Sequence, residues 1–358
     1  MRYKTCAFAA LVALLAGCGD GSGAIGVDSG ADNDADVGTE SDTDPYPNVA
    51  RVQVPDSFQD QGDGTYSLAT GTALFDVTAA FYEDHPDDYD MLIVWTDFPL
   101  NDIWAFSLIT DHSIQGIGQQ EQLELWGEEP MTPDMAGSAG RLQLATLMSS
   151  RHLYEPEPTW GPQDILTHEI GHRWSANLPL TWLPDPWVLT DLWAAHWNIY
   201  AAVGGPSAEG YGQLVDDGGG SFHFEQATDL AYSTVELYQQ GLIPPEEVGP
   251  LYRVLDASGF DPATCFGQPI DEHTYSCEVS YQGTREDFTI DDVIAAIGPR
   301  VPAYGAAQTE FRMAFILVCV DPASCSAEGL AFTEEQRVAW EDTFAVANGG
   351  RATADTSL

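Results

Sequence analysis

Apolar and polar positions divide the chain into three stretches of different character. Residues 7–16 form an almost unbroken apolar run behind Arg2 and Lys4. Residues 19–47 are rich in Gly, Ser, Asp and Thr and show no apolar periodicity. From residue 48 onward, apolar segments alternate with turn signals, with no internal repeat and no second linker. Residues 48–358 therefore read as one domain. Within it, residues 90–96 (Asp-Met-Leu-Ile-Val-Trp-Thr) are a short apolar run that predicts a buried strand, and residues 105–110 predict another. Gly161-Pro162 ahead of residues 163–176 predicts a helix with proline in its first turn and Pro179 just beyond its end. Ser233-Thr234-Val235-Glu236 is a capping-box pattern, and Gly241 before Pro244-Pro245 closes that helix. Thr289 with Asp292 opens another helix, stopped at Gly298-Pro299. Thr333 with Gln336 opens the last, stopped at Asn348-Gly349. Strands early and helices late predict the α+β class.

The first two stretches read as an address and a tether. A basic start, an apolar run too short to span a bilayer, and Leu15-Ala16-Gly17-Cys18 have the layout of an export signal. Small residues ahead of a cysteine resemble the bacterial lipobox. That resemblance implies a signal over residues 1–17, lipidation of Cys18, and anchoring at the bacterial cell envelope through the lipid. Residues 18–47 then form an acidic, disordered tether. Beyond it lie four cysteines, Cys265, Cys277, Cys319 and Cys325. An even number in an exported chain suggests disulfides. Three pairings are possible, and Cys265–Cys277 with Cys319–Cys325 closes the shortest loops.

Charge narrows the partners. The chain has 56 acids against 12 basic residues, a formal net charge of −44. Lys4 is its only lysine. With eight acids in the tether, 48 acids in the domain face only ten arginines. No basic patch is available for nucleic acid or for anionic lipid.

The chemistry lies in residues 166–174, Leu-Thr-His-Glu-Ile-Gly-His-Arg-Trp. His168 and His172 are four apart, so a helix puts both imidazoles on one face, within reach of one zinc ion. Glu169 sits beside a water on that metal and is the expected general base and acid. A catalytic site needs a third protein ligand and an open position. Asp185, Asp191, His196 and His223 are candidates. His196 is favoured, because three neutral imidazoles leave the full charge of the ion to acidify water. Tyr232, Tyr238 and His223 are candidate oxyanion stabilisers. The glycine-rich residues 215–220 read as a lid, a calcium loop or a solvated turn. Residues 103–118 read as a sheet edge on which a peptide adds as a strand or, equally, as an antiparallel edge strand with no such role. Asp164, one turn before His168, reads as a hydrogen-bond partner of the metal ligands or as a carboxylate favouring the helix start.

Residues 168–178 are similar to zinc aminopeptidases of the gluzincin type, whose glutamate ligand falls at the spacing of Asp191, but their Gly-x-Met-Glu-Asn signature is absent. A closer resemblance covers most of residues 75–358. It is to secreted bacterial zincin-like proteins with an H-E-x-G-H-R-W helix, a downstream Ala-His-Trp, a Tyr-Ser-x-x-[Asp/Glu]-Leu-Tyr segment and Gly-Leu-Ile-Pro-Pro-Glu-Glu-Val. These match His168 to Trp174, Ala195-His196-Trp197, Tyr232 to Tyr238 and Gly241 to Val248. Gln239-Gln240 stand where that group has Leu-Met. The resemblance implies a zincin-like metallopeptidase domain with a small mixed sheet and an active-site helix carrying the histidines.

The expectation is thus a lipid-anchored, monomeric zinc metallopeptidase acting on a peptide or protein. Its zinc is held by His168, His172 and His196. The competing classes are a non-catalytic zinc-containing binding lipoprotein and a zinc amidase acting on cell-wall peptides.

Overall fold

The computed structural model describes residues 44–358, apart from 102, 121–122, 124–128, 156–159, 179–195 and 260–278. Cys18, Asp185, Asp191, Cys265 and Cys277 lie outside the described residues.

The chain runs through β1 (Val49–Gln53), β2 (Phe58–Asp60), β3 (Tyr66–Leu68), α1 (Leu74–Asp84), β4 (Met91–Thr96), β5 (Phe106–Ile109), β6 (Leu144–Ser150) and α2 (Pro162–Gly171). It continues through β7 (Ala201–Val203), β8 (Gly212–Gly218), β9 (Ser221–Gln226), α3 (Thr234–Gln240), β10 (Leu251–Ser258), β11 (Val279–Phe288), α4 (Ile290–Ile297), β12 (Glu310–Cys319), α5 (Ala327–Ala347) and β13 (Thr353–Asp355). The class is mixed α+β. The strands are not confined to the early chain, however: seven of them follow α2.

The apolar run at residues 90–96 becomes β4, at the heart of a six-stranded sheet ordered β1-β12-β4-β6-β5, with β13 also on β12. β1, β12, β4 and β6 are parallel and β5 is antiparallel to β6. Every residue of β4 and β6 is buried, as strands covered on both faces require. Alternation sorts the side chains. Leu92, Val94, Ala145, Leu147, Ala314 and Ile316 join α1 on one face. Met91, Ile93, Trp95, Leu144, Met313 and Phe315 join α2 and α5 on the other. β5 forms over residues 106–109 of the predicted edge segment and has a strand partner on one side only among the described residues.

A second, five-stranded antiparallel sheet, β7-β10-β11-β9-β8, was not foreseen from the sequence. Its own core is Phe222, Tyr252, Tyr281 and a few neighbours. Ala201, Val203 and Leu251 carry it into the α2 side of the main core. Residues 215–220, expected as a lid or loop, are the tip of the β8–β9 hairpin. Gly219 and Gly220 both have positive φ there, the conformation that a tight hairpin turn demands.

The helix starts at Gly161, Ser233 and Thr289 form as read. α5 begins earlier than expected. Ser326 caps it by accepting from Gly329 N, and Thr333 lies inside it, donating to Gly329 O. Cys319 and Cys325 form a disulfide between the end of β12 and the approach to α5. Among the described residues, no helix is long and apolar enough to cross a membrane.

Candidate metal centre

α2 begins with Gly161 in extended conformation and Pro162 in the first turn. Asp164 anchors this start. One of its oxygens accepts from Gly161 N at 3.0 Å and the other from Leu230 N at 3.1 Å. Ile165, Leu166 and Ile170 bury against the sheet. The helix stops at Gly171 rather than at residue 176, and His172 is its C-cap.

His168, His172 and His196 come together as the sequence predicts. Their candidate ligand atoms all lie within 4.8 Å of one another, and the group can hold a metal ion. The His168 ring is set in a fixed tautomer. His168 Nδ1 lies 2.9 Å from Ala208 O. A carbonyl only accepts, so Nδ1 carries the proton and Nε2 the lone pair. His172 Nδ1 lies 3.0 Å from Glu209 Oε2. Burial pushes His172 down to about 3, helped by the His196 imidazole beside it. A hydrogen bond with the Ser175 backbone pulls the other way, but burial prevails. The ring is therefore neutral, the state in which imidazole binds a metal.

Glu209 is fully buried and reaches His172 because residue 171 is glycine. A Cβ there would overlap the Glu209 carboxylate and press on the Tyr232 ring. The loop carrying Glu209 is held in turn by Glu236. That buried carboxylate accepts from Glu209 N at 3.0 Å, Ser207 Oγ at 2.6 Å and Trp197 Nε1 at 3.1 Å. Its other oxygen closes the capping box on Ser233 N. The three sequence segments carrying His172, His196-Trp197 and Ser233-Glu236 thus meet around two buried glutamates.

Glu169 is 5% exposed. Its Oε2 accepts from Ser107 Oγ at 3.0 Å, and the same hydroxyl lies 2.8 Å from Thr146 Oγ1 on β6. Burial lifts Glu169 to about 7, against the pull of Ser107 and His196. β5 is thereby tied to Glu169 by its own side chain.

The other expected residues stand elsewhere. Tyr232 donates to Thr167 O at 2.9 Å, and the Tyr238 hydroxyl accepts from Arg300 N at 3.1 Å; both rings are buried. His223 is on β9, its two nitrogens 2.9 and 3.1 Å from Asp217 and Glu225. The phenol found at the histidines is Tyr211, whose hydroxyl is 2.9 Å from His168 Nε2. Sequence reading missed Ser107, Glu209, Tyr211 and the role of Glu236. The glycines flanking Tyr211 were the only local signal. Comparison of the chain with protein-family models, with curated proteins and with solved structures gives no match.

Proposed function

We propose that the chain is a zinc metallopeptidase of zincin type that hydrolyses peptide bonds in an extracytoplasmic protein or peptide. The observation that carries this reading is the grouping of three imidazoles with a buried carboxylate supplied by the same helix. The donor set suits zinc, which takes neutral imidazole nitrogen and leaves a position open when three protein ligands bind it. Zinc held there supplies Lewis acidity to water and to the scissile carbonyl.

The chain's own residues supply the base and the track. Ser107 holds Oε2 of Glu169. Oε1 has no hydrogen bond among the described residues, so it is the oxygen that takes a proton from the attacking water and returns it to the leaving amine. β5 offers its outer edge to an extended peptide, which main-chain hydrogen bonds align beside Glu169. Lipid on Cys18 would hold the domain at the cell envelope. A Cys18→Ala chain is expected to leave the membrane fraction; one that stays membrane-bound rejects the anchor.

The test of the activity is cleavage of casein or a mixed-peptide library by metal-loaded protein. Glu169→Gln is expected to cut the rate about 100- to 10,000-fold while metal content stays at one ion per chain. Undiminished cleavage by Glu169→Gln rejects the mechanism. Cleavage of cell-wall peptides but of no protein assigns the amidase class instead.

A further inference from the structure

Arg173 follows His172 directly and is fully buried. Its Nη2 donates to Asp111 Oδ2 at 2.6 Å and its Nε to Gln143 Oε1 at 3.2 Å, while its main-chain oxygen accepts from Gln119 Nε2 at 2.6 Å. Asp111 stands two residues beyond the end of β5. Its other oxygen accepts from Ser113 N at 2.9 Å, so the carboxylate is held from its own side as well. Gln143 is fixed in turn, because its Nε2 donates to Asp90 Oδ1 at 3.0 Å and to Gln308 Oε1 at 2.8 Å.

Ser107 makes a second tie. Its Oγ is 3.0 Å from Oε2 and 2.9 Å from O of Glu169. β5 and the residues after it are thus fastened to the histidine-bearing segment at two points, Ser107 to Glu169 and Asp111 to Arg173. A strand fastened at one point can pivot about it; a second point fixes its direction. The Asp111 tie is a charge-assisted bond from a planar guanidinium, which is short and directional. Apolar side chains of similar volume are often as stabilising as a buried ion pair, but an apolar contact has no direction. What the pair adds at this place is geometry.

We propose that Arg173 and Asp111 are positioning residues that hold β5 at one angle to α2, so that a peptide added along β5 presents one of its bonds to Glu169. The proposal rests on the peptidase reading above and on β5 as its ledge. Neither residue touches the peptide; they act through the strand on which it lies.

The full chain loaded with zinc tests this by where it cuts as well as how fast. A peptide that wild type cuts at a single bond is digested, and its products are mapped by mass spectrometry. Asp111→Asn keeps the shape of the side chain and removes its charge. It is expected to cut neighbouring bonds as well and to lose about ten- to hundredfold in kcat/KM, the scale of a misplacement of about 1 Å. Asp111→Leu combined with Arg173→Met leaves no buried charge without a partner. It is expected to keep a Tm near that of wild type and still to cut at several bonds. Zinc content should be the same in all three chains. A folded variant of either kind that cuts only the wild-type bond overturns the proposal, whatever its rate, and leaves the peptidase reading standing. A wild-type chain that cuts no peptide overturns the reading on which the proposal rests.

Discussion

β4 and β6 bury every residue, and helices cover both faces of their sheet. β11, ten residues long, buries only Tyr281. Its sheet meets solvent with ion pairs: Arg285 with Asp216 and Asp287, Arg253 with Glu286, and His223 with Asp217 and Glu225. The two sheets are thus held by different forces. Packing dominates in the first, while a thin aromatic layer and screened charges carry the second. The candidate metal centre joins them. α2 on the first sheet supplies His168, Glu169 and His172, and the loop entering β8 of the second supplies Glu209 and Tyr211.

The comparison is broken most directly in the packed sheet. Trp340 is fully buried beneath it, with its Nε1 against Met313 Sδ. Trp340→Ala should destabilise by about 3–5 kcal/mol, read by urea unfolding. Arg285→Ala in the second sheet should change stability by less than about 1 kcal/mol, as exposed ion pairs do. Equal losses would erase the distinction.

The junction comes next. Gly171→Ala places a methyl where the Glu209 carboxylate sits. Metal affinity should fall about ten- to hundredfold, measured by competition with a chelator, while the circular dichroism spectrum is retained. Unchanged affinity would mean that Glu209 does not orient His172.

Charge sharpens the contrast further. The domain's 48 acids against ten arginines repel one another. Raising ionic strength from about 0.01 to about 1 M shortens the screening length from roughly 30 to roughly 3 Å, so Tm should rise. A flat or falling Tm would show that the ion pairs of the second sheet outweigh the repulsion.

The smallest effect belongs to His223. Its hydrogen bonds to Asp217 and then Glu225 raise it above its ordinary 6.5. A raised folded value means that the pairing stabilises fully below 6.5 and is lost as pH climbs through the higher folded value. The ring is exposed enough for solvent to discount the gain. A proton NMR titration should give His223 a value above 6.5, falling back towards it in Asp217→Asn. A value at or below 6.5 in the native chain would refute the pairing.

Much of the site was legible in the sequence. The motif at residues 168–172 needs only helical spacing to bring its histidines together, and His196 joined them by donor chemistry. Glu209 was not legible, because it lies 37 positions beyond His172 and its approach depends on a missing methyl at Gly171. The fold divides similarly. β4 could be read because a strand buried on both faces is apolar throughout. β8 to β11 could not, because a sheet with one wet face and many acids resembles loop. The start of α5 was misplaced for a local reason: Thr333 and Gln336 imitate a cap, whereas Ser326 is the residue that makes one.

One dimension of the site bears on selectivity. β5 has four residues, about 13 Å of extended chain at roughly 3.3 Å each. On the proposed reading, a peptide aligned on so short a ledge would be gripped over no more than four of its own residues, with alternate side chains towards the α2 face, where Ser107 meets Glu169. Recognition along that ledge would then read a short patch and not a long motif. A folded protein would need to release only a few residues of loop to be admitted, and sequences sharing that patch would compete on nearly equal terms.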